Sequence, residues 1–514
     1  MLETELKFQV PAGARHAVDA AVGIGTSRRT RLQAIYFDTP DRRLAAAGMA
    51  LRLRKAGRRW VQTLKAAGPN AMQRLEHNVP LVGTMSIPAG TVPAADPLRH
   101  AGTPAGDLLA AALAAREGDH APPCLVALYR TDIWRRARTL RATGCTVELA
   151  FDCGEIVAGE RRWPVCELEI ELVRGRPAAM IEVGRRWVRR HGLWLDVRSK
   201  AERGDRLARN ARVGPAVKAG TVQLEREMSA DAALHAIVAH CLRQILPNAS
   251  EIADGCSSDE HVHQLRVGLR RLRSALRFFA GWTTPVDPAW AERLAAMFRQ
   301  LGVARDRDAL AASLLPALRK AGAPLFELPP APQGPTPAEW LRMTETTLLL
   351  LELLAYQVCG PAAPPPVALP AAALANDAEP EPPPPLAVAV AARLQRWHRR
   401  VARAARRYAA LEDSERHALR KRVKRLRYAA EFVAALYRGK ALTRYLKMLV
   451  PVQDCLGRYN DRCVGLETYQ NVVGDDPRAW FAIGWLTARR DVLLAECVVA
   501  LKDFARCMPF WKDR

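Results

Sequence analysis

The sequence lacks any run of about twenty apolar residues, the length a membrane-spanning helix needs. The best candidate, Leu348 to Val358, is short and contains Glu352. The start, Met1 to Lys7, is charged at once, so no secretory signal segment is expected. The eleven cysteines include no CxxC pair, which predicts a reducing cytosol, no zinc site and cysteines that serve as small core residues. Acidic residues are scarce relative to basic ones: 53 Asp+Glu face 77 Lys+Arg, a net charge of +24. That excess implies a polyanionic partner, whether nucleic acid, anionic lipid or polyphosphate. The remaining composition, 49% hydrophobic and 25% charged, is that of a globular protein. At 514 residues the chain is too long for one core, and length alone allows about three domains.

What is present is an unusual alternation of charge. Glu3, Glu5 and Lys7 occupy every second position and share one face of a strand. Such a face is either exposed or the wall of a polar cavity. The pattern recurs to about residue 210. Arg52 and Arg54 alternate with Leu51 and Leu53, and Lys65 follows Val61 and Thr63. Arg74, Glu76 and Asn78 share a parity, as do Glu148 and Asp152, and Glu167, Glu169 and Glu171 form a row in CELEIEL. Half-exposed strands mix polar residue types, whereas several strands here carry only one sign. A closed barrel or tunnel with a charged lumen explains this, because alternate residues of every strand point inward. Turn signals at Asp38–Asp41, Ala67–Asn70 and Asp152–Gly154 separate the strands, and helical pieces are expected at about 14–21, 105–116 and 178–190.

Glu3-x-Glu5-x-Lys7 resembles the signature of the CYTH family, the triphosphate tunnel metalloenzymes. YFDTP at 36–40, LRLR at 51–54, TLK at 63–65, CELEIEL at 166–172 and SKAERG at 199–204 follow in the family's order. The last two are similar to the bacterial inorganic triphosphatase branch. The resemblance implies an eight-stranded antiparallel barrel whose tunnel binds a triphosphate. Lys7, Arg52, Arg54, Lys65, Arg74, Arg135 and Lys200 would neutralise that rod of negative charge, the arginines by bidentate contact. Glu3, Glu5, Glu167, Glu169 and Glu171 would supply hard oxygen ligands to Mg2+ or Mn2+. Lys7 counts among the catalytic residues, with the water-activating carboxylate sought among Glu5, Glu76 and Glu169. Arg135 fits the family pattern better than Arg130. Glu76, Glu148 and Asp152 are about as readily internal salt-bridge partners as ligands, and His16, His77 and His100 read as surface residues.

Residues 211–225 hold Gly, Pro and mixed polarity and read as a linker between a domain at 1–210 and another at 226–514. The second domain carries a repeat. HQLRVGLRRLR from His263 aligns with HALRKRVKRLR from His417, 154 residues on. Leu301-Gly302 and Asp306 align with Leu456-Gly457 and Asp461. Two copies of one helical unit are the economical explanation. At about 100° per residue, His263, Arg266, Arg270, Arg273 and Arg277 share an arc, beside a stripe of Leu265, Leu269, Leu272 and Leu276. His417, Arg420, Lys424 and Arg427 repeat the basic arc, with Leu419, Val423 and Leu426 as its apolar neighbour. A third basic helix, at about 389–409, adds Arg396, Arg399, Arg400, Arg403 and Arg407. Like charges at i,i+4 destabilise an isolated helix, and solvated faces usually mix Glu with Lys. Pure basic stripes therefore point to an external anion. A Pro/Ala-rich stretch at about 360–385 reads as a linker between the halves.

These helices resemble the CHAD family, the conserved histidine α-helical domain, over about 226–514. Its members bind inorganic polyphosphate on a basic surface. The positions that the resemblance carries over are His263, Arg266, Arg270, Arg273, His417, Arg420, Lys424 and Arg427. Glu431 stands where the second copy would place the counterpart of Arg277, so that end of the stripe is less basic.

The expected architecture is thus α+β: an eight-stranded antiparallel β-barrel tunnel with flanking helices, then an all-α, two-halved helical bundle. The expected activity is metal-dependent hydrolysis of inorganic tripolyphosphate in the cytoplasm or at polyphosphate granules. The alternatives are a non-catalytic polyphosphate-binding granule protein and a triphosphatase or cyclase acting on an organic triphosphate. Sequence-specific nucleic acid is not expected, because base readers interleave aromatics or Asn/Gln with their charges. No membrane partner is expected either.

Overall fold

A computed structural model of the chain describes residues 2–57, 59–81, 93–114, 124–302, 312, 314–324, 334–360, 385–437 and 439–512. Asp306 and nearly all of the Pro/Ala-rich stretch lie outside the described residues. The chain forms two compact units. The first comprises Met1–Lys218, Leu242–Leu265 and Pro335–Cys359, and the second comprises Ala219–Cys241, Arg266–Gly334 and Gly360–Arg514.

Eight strands of the first unit close on themselves. They are β1 (Leu2–Gln9), β2 (Arg28–Asp38), β3 (Met49–Ala56), β4 (Arg59–Ala67), β5 (Gln73–Pro80), β6 (Val126–Ala142), β7 (Cys145–Ala158) and β8 (Arg161–Gly175). The order is β5-β4-β3-β2-β6-β7-β8-β1, and β1 also pairs with β5. β1 closes the barrel by dividing its length: Leu2–Thr4 lie against β5 and Glu5–Gln9 against β8. The two-residue strand β9 (Trp194–Leu195) adds to the end of β1. All these pairings are antiparallel.

The register sorts the two faces. On the outer face, Leu6, Phe8, Leu149, Phe151, Leu168 and Ile170 are buried. The helix Pro177–His191 packs against β1, β7 and β8 through Met180, Ile181 and Val188. Covering each such side chain is worth about 1.5–3 kcal/mol. Gly184 makes the close approach feasible, since a Cβ there would sit 3.1 Å from Leu6 and 3.2 Å from Phe8. The expected helices at the other two places span Arg15–Val22 and Pro104–Leu113.

Two of the sequence motifs are local scaffolding. In YFDTP, the buried Asp38 carboxylate accepts from the backbone N–H groups of Thr39, Leu44 and Ala45, fixing the turn after β2. In SKAERG, the Ser199 hydroxyl accepts from the Glu202 N–H and starts the helix Lys200–Ala208, which sets Lys200 at its first turn. Gly204 lets this helix lie on the barrel, since a Cβ there would meet the Tyr129 ring at 2.2 Å. Gly204→Ala is therefore expected to destabilise the protein by about 1–3 kcal/mol, the usual cost of overpacking. Thermal denaturation would check it.

Among the described residues the second unit is helical. It contains the helices Ala289–Gln300, Leu386–Arg406, Asp413–Phe432, Lys440–Gln470 and Ala479–Ala505, and the part of Asp259–Phe279 from Arg266 onward. In the two repeated helices the apolar stripes are core. Leu269 and Leu272 are fully buried, as are Leu419, Val423 and Leu426. Arg271, outside the basic arc, is buried as well. It donates to Glu431 at 2.7 Å and lies 4.9 Å from the Phe432 ring centre.

Candidate active site

Directly opposed residues of an antiparallel pair share a face, so the register places the alternating charges in one lumen. Across β1 and β8, Glu5 faces Glu171, Lys7 faces Glu169 and Gln9 faces Glu167. Across β1 and β5, Glu3 faces Arg74. Lys65 faces Glu76 across β4 and β5, and Arg135 faces Asp152 across β6 and β7. The lumen is a cavity of about 930 Å3. Of the expected tunnel residues, Glu3, Glu5, Lys7, Arg52, Arg54, Lys65, Arg74, Glu76, Arg135, Glu169, Glu171 and Lys200 line it. Glu167 sits behind the wall, fully buried, and accepts from Lys200 and Arg203.

The charges sort into two groups. In the first, Arg135 makes a bidentate pair with Asp152, both contacts at 2.7 Å, and also reaches Glu169 at 2.5 Å. Lys200 lies 2.7 Å from Asp152 and 2.8 Å from Glu169. Burial alone would push the Glu169 carboxyl up, but Lys200 and Arg135 outweigh it and hold it well below the ordinary carboxylate range. Asp152, Glu167 and Glu169 offer ligand oxygens within 4.8 Å of one another. Three hard oxygens at that spacing suit a divalent cation such as Mg2+. Asp152 belongs to this group with Glu167 and Glu169, whereas Glu3, Glu5 and Glu171 line the same cavity outside it. The register was the signal for Asp152, which stands opposite Glu167.

In the second group, Lys65 bridges Glu3 at 2.5 Å and Glu76 at 2.8 Å, and Arg74 lies 3.5 Å from Glu5. Burial pushes the Glu3 carboxyl up to about 8, against the pull of Lys65. Burial acts on Glu76 in the same direction, but Lys65 and hydrogen bonds from Glu3, Lys65 and Asn78 hold it at about 2. The two carboxyls share Lys65 and are shifted in opposite directions, Glu3 up and Glu76 down. Burial raises Glu171 too, helped by Glu148, Glu76 and Glu5 and opposed by Lys65.

Lys7 donates to the carbonyl of Arg198, and burial lowers its pKa against the pull of Glu167 and Asp196. Arg198 is itself fixed by Asp196 at 2.8 Å and Asp254 at 3.1 Å. No carboxylate among the described residues pairs with Arg52 or Arg54, and the Nε atom of each is buried without a hydrogen-bond partner. Arg52 donates only to the Tyr36 hydroxyl, at 3.2 Å. Arg52, then burial, lowers Arg54 to about 10.

The residual charges behave as ordinary surface groups. Arg130 is exposed and Arg136 pairs with Asp19 at 2.8 Å. His100 departs from expectation. It is fully buried outside the lumen, its Nδ1 2.9 Å from that of His77 and its Nε2 3.0 Å from Gln62, and burial lowers it to about 4.

In the second unit, Arg266 and Arg270 lie 4.6 Å and 5.6 Å from the centre of the Phe298 ring. Lys424 is lowered to about 7 by burial and by Arg420, Arg270 and Arg266, with Asp461 opposing. The two basic stripes therefore converge. They also meet an acidic partner that their own helices do not show: Asp461, on the helix Lys440–Gln470. His417 lies 2.6 Å from Asn460 through Nδ1, and Arg427 is tied to Glu431 and Gln453, both at 2.7 Å. Glu431 thus caps the stripe's end by pairing with Arg427 as well as Arg271. Arg273 is half-buried, as is His263 on the same helix.

Residues 1–204 match the CYTH domain, and residues 236–470 match the CHAD domain. The chain carries a CYTH domain followed by a CHAD domain. The inorganic triphosphatase of Haemophilus influenzae is 27% identical over 172 residues, 33% of this chain and 44% of that protein. The match thus spans less than half of that relative. The CHAD domain of the plant Ricinus communis is similar in structure at 26% identity, covering 58% of this chain and 98% of that one, with a TM-score of 0.43. HpAC1 of Hippeastrum, in which triphosphatase activity is dominant, covers 40% of this chain and 95% of its own at 17% identity, with a TM-score of 0.27. No described helix is long and apolar enough to cross a membrane.

The Glu3 carboxyl sets a pH dependence for the CYTH tunnel. Its folded pKa of about 8 lies above the ordinary 4.5. The folded protein therefore holds an extra proton between those values, and this group's contribution to stability falls as pH rises through that window. Glu76 acts oppositely. Its contribution is complete above 4.5 and is lost as pH falls towards about 2. A reaction that needs the Glu3 carboxylate would show kcat/KM rising with pH to a plateau above about 8, since kcat/KM reports the free enzyme's groups. Glu3→Gln should flatten that limb, which a pH profile of initial rates would check.

Proposed function

We propose that the CYTH domain hydrolyses inorganic tripolyphosphate to pyrophosphate and phosphate with Mg2+ or Mn2+, and that the CHAD domain binds inorganic polyphosphate. The observation that carries the first part is the pair Arg52 and Arg54. They line the cavity of a closed barrel, pair with no carboxylate among the described residues and share that cavity with a carboxylate triad. Guanidiniums left without an ion-pair partner favour an anion that supplies the missing charge.

In this reading Arg52 and Arg54 grip the triphosphate, with Lys65, Arg74, Arg135 and Lys200 available as their carboxylate partners exchange. Asp152, Glu167 and Glu169 would hold the metal, which polarises phosphoryl oxygens and neutralises developing charge when bound. Water attacks the terminal phosphorus, the bridging P–O bond breaks and pyrophosphate leaves. The proton from water passes to a carboxylate. Glu3, pushed up to about 8 by burial, lies close to a working pH, which is what a general base requires. Glu76 and Glu169, held low, are poorer bases and stay anionic. Lys7, anchored on the Arg198 carbonyl, would stabilise charge on the leaving group.

One observation favours a second substrate class. Leu32, Ala34, Tyr36, Leu128, Tyr129 and Ile133 give part of the cavity an apolar wall, with the two tyrosine rings stacked at 4.7 Å. An organic group on the triphosphate would use that wall. Rates of phosphate release from tripolyphosphate, ATP and long-chain polyphosphate separate the readings. Preference for tripolyphosphate supports the proposal, and preference for ATP moves the organic triphosphate to first place.

For the CHAD domain, the converging Arg266, Arg270, Arg420 and Lys424 support polyphosphate binding. Multi-cation contacts to a polyanion release counterions, and each contact removed shallows the log K against log salt slope by about one by analogy with DNA. Arg270→Gln is expected to weaken binding to long polyphosphate and to lower that slope by about one unit, measured by titration at several salt concentrations.

A further inference from the structure

The second unit has a further basic concavity, at the end of the first stripe where Arg277 stands. It is a cavity of about 440 Å3 between the helices Asp259–Phe279, Leu386–Arg406 and Asp413–Phe432. Its basic lining is Arg277, Arg393, Arg396, Arg400, Arg422 and Arg425, and its apolar lining is Trp397 and Val401. Arg393 is occupied by the fold. It donates to the carbonyls of Phe278 at 2.6 Å and Ala280 at 2.7 Å, and its guanidinium lies 3.8 Å from the Trp282 ring centre. The other five arginines have no carboxylate partner among the described residues. Burial, then Arg277, Arg273 and Arg422, lowers Arg425 to about 10, so the like charges of this cluster act on one another.

Five such guanidiniums around one concavity call for an anion with several charges. A bare phosphate chain makes no use of the remaining wall. Trp397 is half-buried, its ring held edge-on against Phe278 at 5.2 Å and 81°, so it is a fixed aromatic surface. The cavity's size is that of a small-molecule pocket, roughly 300–1,000 Å3, and not of an extended groove. We propose that this cavity binds a nucleoside polyphosphate, its base against Trp397 and Val401 and its phosphates on Arg277, Arg396, Arg400, Arg422 and Arg425. The proposal is independent of the tunnel's chemistry.

Equilibrium dialysis of the full-length protein in EDTA, with ATP and with tripolyphosphate, tests it, beside photocrosslinking with 8-azido-ATP and mapping of the labelled peptides. Trp397→Leu is expected to weaken ATP binding roughly tenfold or more, the scale of a lost stacking contact, while tripolyphosphate binding stays within about twofold. Arg396→Gln/Arg400→Gln, on exposed side chains that do not support the core, is expected to weaken both ligands and to remove the label from peptides around Trp397. Unchanged ATP affinity in Trp397→Leu would overturn the proposal. So would label confined to tunnel peptides, or a loss of tripolyphosphate binding in Trp397→Leu equal to that of ATP.

Discussion

Asp152→Asn is expected to lower tripolyphosphate turnover by about 10³-fold in saturating Mg2+. The side chain keeps its size, and its neighbours Arg135 and Lys200 remain paired to Glu169. What is lost is one of three carboxylates whose oxygens converge within 4.8 Å. Metal stabilisation of a phosphoryl transition state is worth several kcal/mol, and each 1.36 kcal/mol is tenfold in rate. The rate should fall together with apparent Mg2+ affinity, read from rate against metal concentration, while far-UV circular dichroism stays unchanged. Wild-type turnover in this variant would remove Asp152 from the metal set.

Glu167→Ala is expected to produce the largest loss of stability. Glu167 is fully buried and accepts from both Arg203 and Lys200, and Arg203 is itself buried. Removing one partner of a buried pair leaves an uncompensated charge, at a cost of about 3–5 kcal/mol. For a unit of this size that corresponds to a fall in Tm of roughly 10 °C. Glu167→Leu/Arg203→Leu should recover much of it, because an apolar pair of similar volume often replaces a buried ion pair without loss. Thermal denaturation of both variants measures this. A double variant as unstable as the single one would show that packing, and not charge, is at stake there.

How far the sequence is legible depends on the range of the interaction. Glu3, Glu5 and Lys7 announce a polar lumen because strand periodicity is local, and the same holds for Arg52 with Arg54 and for Glu167 to Glu171. The apolar stripe Leu265, Leu269, Leu272 follows helical periodicity and is core. Asp152 reads equally as an ion-pair partner or a ligand in the sequence, because its role depends on β7 and β8 lying in one register, which no local pattern states. Asp461 was aligned within the repeat, but its approach to Lys424 depends on helix packing. His100 reads as surface from its neighbours Arg99 and Ala101, yet pairing with Gln62 and His77 buries it. The upward shift of Glu3 is likewise not a local property, since it depends on burial and on Glu76 and Lys65 closing around it across β1, β4 and β5.

The central claim is that a metal in the CYTH tunnel drives hydrolysis of tripolyphosphate. Its most direct test is phosphate release by the full-length protein with Mg2+, with Mn2+ and with EDTA, beside Glu3→Ala/Glu5→Ala. The account predicts turnover that needs the metal, stops in EDTA and is lost in the double variant. A folded wild-type protein that binds polyphosphate yet releases no phosphate with either metal would contradict it.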